Sequence, residues 1–363
     1  MLYIFTHRVP IALITLAVAC TATFGVQYTL TEIGHVTEGT DSYSHVLDIN
    51  DLGQILGHDY TFRIAARSFL WQSGTEMDVN LPPSPDAIFL RAINNAGDGA
   101  GFSSGPQTNG PALWRNGQVT YLPAPGALSD YRRATDINDL GQAVGFAYIG
   151  EGNLVSHALL WRNGTVEYLG TLGSTIALAE QINNRTQVIG VSVTSAGDEH
   201  AFFWDNGVMT DLGTLWGTRT SARGINDAGQ VVGYSTNDSG DHRAFLWQNG
   251  IMTDLGTLPG DISSQAWGIN AQGQIVGVSW DPSYTARLFL YENAQMFDLS
   301  SQIINPGEWQ FNNPMGINSE GWIIGSGYLR GHDRGFLLTP IPEPATGVIL
   351  LCIAAAACPG RRQ

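Results

Sequence analysis

The stretch 250–293, GIMTDLGTLPGDISSQAWGINAQGQIVGVSWDPSYTARLFLYEN, is the clearest copy of a unit that returns along the whole chain. It holds four apolar segments of four to seven residues: Thr-Asp-Leu-Gly, a small-residue run ending in Ile-Asn, Gly-Gln-Ile-Val-Gly, and Ala-Arg-Leu-Phe-Leu. Gly, Asn, Asp or Pro bounds each one, which is how short strands joined by tight turns are written. The Ile-Asn asparagines fix the period. They are Asn50, Asn94, Asn138, Asn183, Asn226, Asn270 and Asn318, spaced by 44, 44, 45, 43, 44 and 48 residues. A period of that length means one supersecondary unit copied seven times.

Asn-Gly pairs at 116–117, 163–164, 206–207 and 249–250 suit type I′ hairpins, since both central positions of that turn need positive φ. Four strands per copy and seven copies predict an all-β fold, a seven-bladed β-propeller over residues 26–340, with a β-solenoid as the alternative. Residues 28–33 supply a first-segment strand ahead of the first Ile-Asn, and the last copy ends after its fourth. Such a chain closes by pairing its two ends.

The termini read differently. His7 and Arg8 precede an apolar run from Val9 to Phe24, the layout of a secretory signal peptide over residues 1–25, with Ala17 and Ala19 offering a cleavage site. Lipidation at Cys20 is the alternative. At the far end Pro342, Glu343 and Pro344 lead into the apolar segment 345–358 and then Arg361 and Arg362. Fourteen helical residues rise about 21 Å, short against roughly 30 Å of bilayer hydrocarbon. The order of tripeptide, short hydrophobic helix and basic end over residues 341–363 resembles the PEP-CTERM sorting signal. That resemblance implies an exosortase-type protease as partner beside signal peptidase, transient membrane anchoring, and an extracellular or outer-surface destination. The triplet His200-Ala201-Phe202, echoed at Arg243-Ala244-Phe245, with Asp-Leu-Gly-Thr at 211–214 and 254–257, resembles the HAF repeat of bacterial extracellular proteins. That family has no defined activity, so it implies location and fold.

All three cysteines, Cys20, Cys352 and Cys358, lie in the terminal segments, so the exported body must be stable without disulfides. Residues 26–340 carry 14 arginines, no lysine and 31 acidic residues. This balance disfavours nucleic acid, and the absence of lysine excludes Schiff-base chemistry. Neither an EF-hand calcium loop nor a His-Glu-x-x-His helix occurs, so no metal or cofactor is assigned.

Acids in the first segment (Glu32, Asp78, Asp211, Asp254, Asp298) and cations opening the fourth (Arg67, His157, His200, Arg243, Arg287, Arg334) are expected to pair structurally rather than to ring a channel around a metal. The recurring asparagines are expected to bond their own turns. Ser103, in Gly-Phe-Ser-Ser-Gly, matches a nucleophile elbow, but serine recurs in that slot as Ser192, Ser235 and Ser279, which makes it repeat grammar.

Tryptophan discriminates better. Trp71, Trp114, Trp161, Trp204 and Trp247 fill a repeat slot, whereas Trp216, Trp267, Trp280, Trp309 and Trp322 fall outside it, all in the last three copies. Aromatic rings flanked by amides suit sugar faces, so these five are the ligand-binding candidates, with exopolysaccharide as the expected partner. The leading expectation is therefore a non-enzymatic binding or scaffold module of the extracellular matrix. A propeller-based polysaccharide lyase or hydrolase is the alternative, with His242, Asp241 and Tyr234 available to it.

Overall fold

A computed structural model describes residues 26–342, apart from loops at 35–41, 62–63, 80–86, 106–108, 125–130, 150–154 and 238. The signal segment and the sorting residues Glu343, Pro344, Arg361 and Arg362 lie outside the described residues. No described helix is long and apolar enough to cross a membrane.

The fold is all-β. Each sequence copy forms an antiparallel run of four strands, as in β2 (Ser42–Ile49), β3 (Ile55–Thr61), β4 (Ile64–Gln72) and β5 (Thr75–Asp78), hydrogen-bonded in that order. The first strands of the other copies are β6 (Ala87–Ile93), β10 (Arg132–Ile137), β14 (Gly173–Ile182), β18 (Arg219–Ile225), β22 (Ser263–Ile269) and β26 (Gln310–Ile317). Single parallel bridges, such as Ser156 to Ile176, join copies three to five into a larger sheet.

The last copy is completed from the other end of the chain. β1 (Tyr28–Ile33) pairs antiparallel with β28 (His332–Pro340), Tyr28 opposite Pro340 and Ile33 opposite Gly335, beside β27 (Ile323–Leu329) and β26. A linear solenoid would leave its end strands apart. The hairpin turns are type I′ as their sequence demands: φ is 49° and 77° at Asn116 and Gly117, and 51° and 82° at Asn249 and Gly250.

Clusters of buried side chains fill the spaces between successive copies. One combines Val144, Ala158 and Leu160 of the third copy with Ala177, Val188, Phe202 and Trp204 of the fourth. Phe69, Phe202, Phe245, Phe289 and Phe336 hold equivalent places and are fully buried. The third-segment glycine makes room for them: a Cβ at Gly277 would stand 2.3 Å from the Phe289 ring and 2.2 Å from the Gln265 carbonyl oxygen. The slot tryptophans Trp161, Trp204 and Trp247 are buried as expected, and Trp161 donates its indole N–H to the Pro123 carbonyl at 2.7 Å.

The Ile-Asn asparagines do more than close their own turns. Asn226 Oδ1 accepts the backbone N–H groups of Ala228 and Gln230, while Nδ2 donates to Gln230 Oε1 and, at 3.0 Å, to the Asn270 carbonyl in the next copy. The inter-copy bond recurs from Asn50 to Asn94, Asn138, Asn183, Asn226, Asn270 and Asn318, and then from Asn318 back to Asn50 at 3.2 Å. All seven are buried.

Replacing Asn226 with Ala strands two turn N–H groups and the Asn270 carbonyl, and should destabilise the protein by about 2–4 kcal/mol in chemical denaturation. Asn226→Asp keeps the turn acceptor but loses the donor to Asn270, so it should cost nearly as much; a neutral outcome for both would show that the ring is not structural.

Candidate functional site

The first strand of every copy carries a β-bulge at the same place, three residues before its asparagine. The register shifts fall at Leu47, Arg91, Thr135, Glu180, Arg223, Trp267 and Met315. A bulge re-aims one side chain out of the pleat. All seven of these residues line a single central cavity of about 150 Å³, together with Asp48 and Asp136. One register position therefore holds seven side chains of six types, two residues ahead of an Ile-Asn pair that never varies.

Below the bulges the channel narrows. Ile49, Ile93, Ile182, Ile225, Ile269 and Ile317 separate a second cavity, of about 190 Å³, from the mouth at the asparagine end. At that mouth the residues following the asparagines bond one another: the Asp51, Asn95, Asp139 and Asn184 backbone N–H groups each donate to the next copy's Asn95, Asp139, Asn184 or Asp227 side chain at 2.8 Å. These carboxylates are committed to the frame.

Charge in the channel is unlike that of the body. Arg223 lies with its guanidinium 5.0 Å over the Trp267 ring and 5.7 Å over Tyr234, and its Nε is buried with no hydrogen-bond partner. The buried Trp267 indole N–H also lacks a partner. Next to the channel Arg133 is stacked between Phe102 and Phe146, at 5.1 and 5.4 Å. Burial, and then the Arg91 charge, pull its pKa down. Glu180 is the channel's compensating carboxylate. Burial raises its pKa, opposed by Arg223, Arg91 and Arg133.

Asp48 and Asp136 are held by backbone. Asp48 accepts the Ile49 and Ile93 N–H groups, and Asp136 those of Ile137 and Ile182, each bond 2.8 Å. These bonds favour the ionised form, but burial prevails and pushes Asp136 up to about 7. Asp48 rises to about 8 through burial and the charge of Asp136. Carboxyls that titrate near neutrality, fixed in orientation, can act as general acids or bases.

Another pocket, of about 230 Å³, opens beside Arg223, lined by Glu199, Arg219, Tyr234 and His242 among others. The Tyr234 and His242 rings meet edge to face at 4.7 Å, and Thr236 Oγ1 lies 3.1 Å from His242 Nδ1. Burial lowers the His242 pKa. The structure thus joins His242 and Tyr234, while Asp241 turns away to accept the Asn237 amide at 3.2 Å.

The five off-pattern tryptophans do not share a face. Trp267 is in the channel. Trp322 belongs to the asparagine end, where its backbone N–H bonds Asn318 Oδ1 and its ring covers Gly53. Trp216, Trp280 and Trp309 belong to the opposite end, before β18, at the end of 275–280 and before β26. Trp216 is exposed, whereas Trp309 is half-buried, stacked on Phe311 at 5.9 Å and set edge-on to Phe336 at 6.0 Å.

The remaining candidates resolve into structure. Ser103 is buried and donates to the Gly110 carbonyl, while Ser192 and Ser235 accept the Leu172 and Leu215 N–H groups from the preceding loops. Acid and cation pair as expected at His200–Asp211 (2.9 Å), Arg287–Asp298 (3.2 Å), Arg334–Glu32 (3.2 Å) and Arg67–Asp78. Asp254 departs from that expectation. It accepts the Gly256 N–H of its own turn, and Arg243 donates to the His242 and Ile262 carbonyls.

No family model and no curated protein matches the chain. Solved structures do. An oligogalacturonate lyase from Vibrio parahaemolyticus superposes with a TM-score of 0.57 at 10% identity, over 88% of this chain and 98% of that one. An oligogalacturonate lyase in complex with manganese gives 0.56 at 13% identity over the same shares. A Mycobacterium tuberculosis puromycin-hydrolysing peptidase gives 0.52 at 10% identity, over 88% of this chain and 52% of that one. The chain therefore has a propeller-type fold. The expectation of a non-enzymatic module is corrected by these likenesses, because the proteins it superposes on are enzymes. The bulge column brings titratable and charged side chains, Arg91, Glu180 and Arg223, into one cavity with Asp48 and Asp136.

The two aspartates give a signed pH dependence. Their folded pKa values lie above the ordinary carboxyl value of 3.8, so the folded state binds more protons than the unfolded chain between 3.8 and about 8. Their contribution to stability is complete below that window and is lost as pH rises through it. Thermal unfolding followed across the window should show a melting temperature that declines toward alkaline pH, less steeply in Asp48→Ala; an equally steep decline in that variant would remove Asp48 as its source.

Proposed function

We propose that this chain is an exported, seven-bladed β-propeller enzyme that cleaves polysaccharide, as a lyase or hydrolase, with the bulge-lined channel as its active site. The observation that carries the reading is the bulge column: Arg91, Glu180, Arg223 and Trp267 meet Asp48 and Asp136 in one cavity. The set supplies what glycan cleavage needs, with carboxyls poised near neutrality to move protons, cations to stabilise developing charge, and an aromatic ring for a sugar face. What the two lyases of the same fold are named for acting on, oligogalacturonate, supports a glycan as substrate. The Tyr234–His242 pocket lies beside Arg223 and offers a second acid–base pair at the entrance.

Trp216, exposed at the end opposite the asparagine ring, serves as a platform for the incoming chain. Substrate enters from that end and is cut near its terminus. Export through the N-terminal signal, and processing of the C-terminal segment by an exosortase-type protease, place the enzyme at the outer surface, where exopolysaccharide is its substrate or matrix.

Incubating the purified protein with polygalacturonate, alginate, xylan and dextran tests this reading. Short products bearing new reducing ends are expected, with ultraviolet absorbance from unsaturated uronates if the reaction is an elimination, and their loss by about a hundredfold or more in Asp136→Ala. Absence of cleavage across an enlarged glycan panel, or full activity in Asp136→Ala, would refute it.

A further inference from the structure

The channel departs from the rest of the molecule in leaving its arginines out of ion pairs, although Asp48, Asp136 and Glu180 share the cavity with them. The body is strongly acidic, and its other arginines are largely spent on carboxylates, as at Arg67, Arg115, Arg162, Arg219 and Arg287. Among the described residues, Arg91, Arg133 and Arg223 form no ion pair within 4 Å. Two of them are held instead by aromatic faces, Arg133 between Phe102 and Phe146 and Arg223 against Trp267 and Tyr234. Stacking fixes the plane of a guanidinium while leaving its N–H edge free. For Arg223 the one protein contact along that edge is the Tyr234 hydroxyl at 3.5 Å, the outer limit of a hydrogen bond.

Two buried donors in this cavity have no acceptor from the chain. Arg223 Nε and Trp267 Nε1 are both shielded from solvent and unpartnered, on side chains that line the same space. An orphaned buried donor costs about 1–3 kcal/mol, more when charged, and calls for an acceptor. Glu180 does not reach either of them within hydrogen-bonding distance. Asp48 and Asp136 already have each oxygen engaged by a backbone N–H. The acceptor must come from outside the chain.

We infer that the channel binds the carboxylate of a uronate residue, gripped by the free N–H edges of Arg223 and Arg91, with its ring against Trp267. The planar fork of a guanidinium matches a carboxylate's two oxygens, and the Arg133 charge behind them strengthens the hold. A neutral sugar can offer the two orphaned donors hydroxyl oxygens but no charge, so it forgoes the charge-assisted bonds to the arginines and is bound more weakly. The inference deepens the glycan-cleaving reading by naming the substrate class, and takes from that reading only that the ligand is a glycan.

Calorimetric titration of the purified protein with trigalacturonate, galactotriose and a sulfated galactose oligosaccharide separates the possibilities without requiring turnover. Trigalacturonate should bind, with affinity falling as sodium chloride rises, and galactotriose should bind at least about tenfold more weakly. Arg91 is exposed to the channel, so Arg91→Gln should fold normally and weaken trigalacturonate by about tenfold to a hundredfold while leaving galactotriose unchanged. Arg223→Gln should do the same and also remove the quenching of tryptophan fluorescence on binding, with circular dichroism reporting that the variant is folded. Equal affinity for the two trisaccharides, preference for the sulfated sugar, or an Arg91→Gln protein with unchanged affinity would overturn the assignment. Cleavage of a neutral glycan without trigalacturonate binding would overturn it and leave the enzyme standing; trigalacturonate binding without cleavage of any polysaccharide would uphold it and remove the enzyme.

Discussion

Seven side-chain amides, each donating to the backbone carbonyl of the next copy's asparagine, close a hydrogen-bonded circle from Asn50 through Asn318 and back. A four-stranded sheet has no intrinsic reason to stand at a fixed angle and height beside its neighbour, because the apolar packing between sheets is non-directional. The amides supply that direction. Each is buried and bonded to two turn N–H groups and a carbonyl, and five of the seven, Asn226 among them, also donate to a glutamine of their own turn. The bulges three residues earlier inherit their common level from this circle, so the channel residues meet because the asparagines do.

The architecture was open to reading in the sequence because it rests on local rules. Asn-Gly at 116–117 or 249–250 can hardly serve a strand interior, and the φ values show the turns that those pairs require. Counting segments gives the extra strand before Asn50 and allows closure by pairing the two ends; that β1 is the strand that pairs with β28 is seen only in the structure. Part of the site was legible too. Trp267 stood out as a departure from the pattern, and His242 and Tyr234 were named together, although nothing in their spacing shows that they touch.

What escaped was the bulge. Three residues before each asparagine the sequence runs Leu47, Arg91, Thr135, Glu180, Arg223, Trp267, Met315, and the position two residues earlier, His45, Phe89, Arg133, Leu178, Ser221, Gln265, Asn313, varies as widely, so variation alone does not single the column out. Read along the chain, each looks like an ordinary strand residue. Only when the strands are placed side by side does the column become a cavity lining, since radial sheets point their regular side chains at one another and it takes an extra residue to turn one inward. Asp48 and Asp136 were hidden for a related reason: their burial depends on copies from across the ring. The five off-pattern tryptophans were grouped by their irregularity alone, and the fold divides them among two ends and the channel.

The pairing of β1 with β28 carries a consequence for how such a protein reaches its destination. Thr29 and Thr339 touch although they stand 310 positions apart in the sequence, at opposite ends of the described fold. A chain leaving a membrane pore from its N-terminus can pair six copies as they emerge, but the seventh stays open until its final strand is released. Ile341 donates to the Gln27 carbonyl one residue beyond that strand, and Pro342 follows at once. If the chain is exported N-terminus first, as proposed, this latch is the last part of the described fold to leave the pore. A ring so arranged can report that its own delivery is complete, because the state that has escaped the membrane and the state that has closed become the same state.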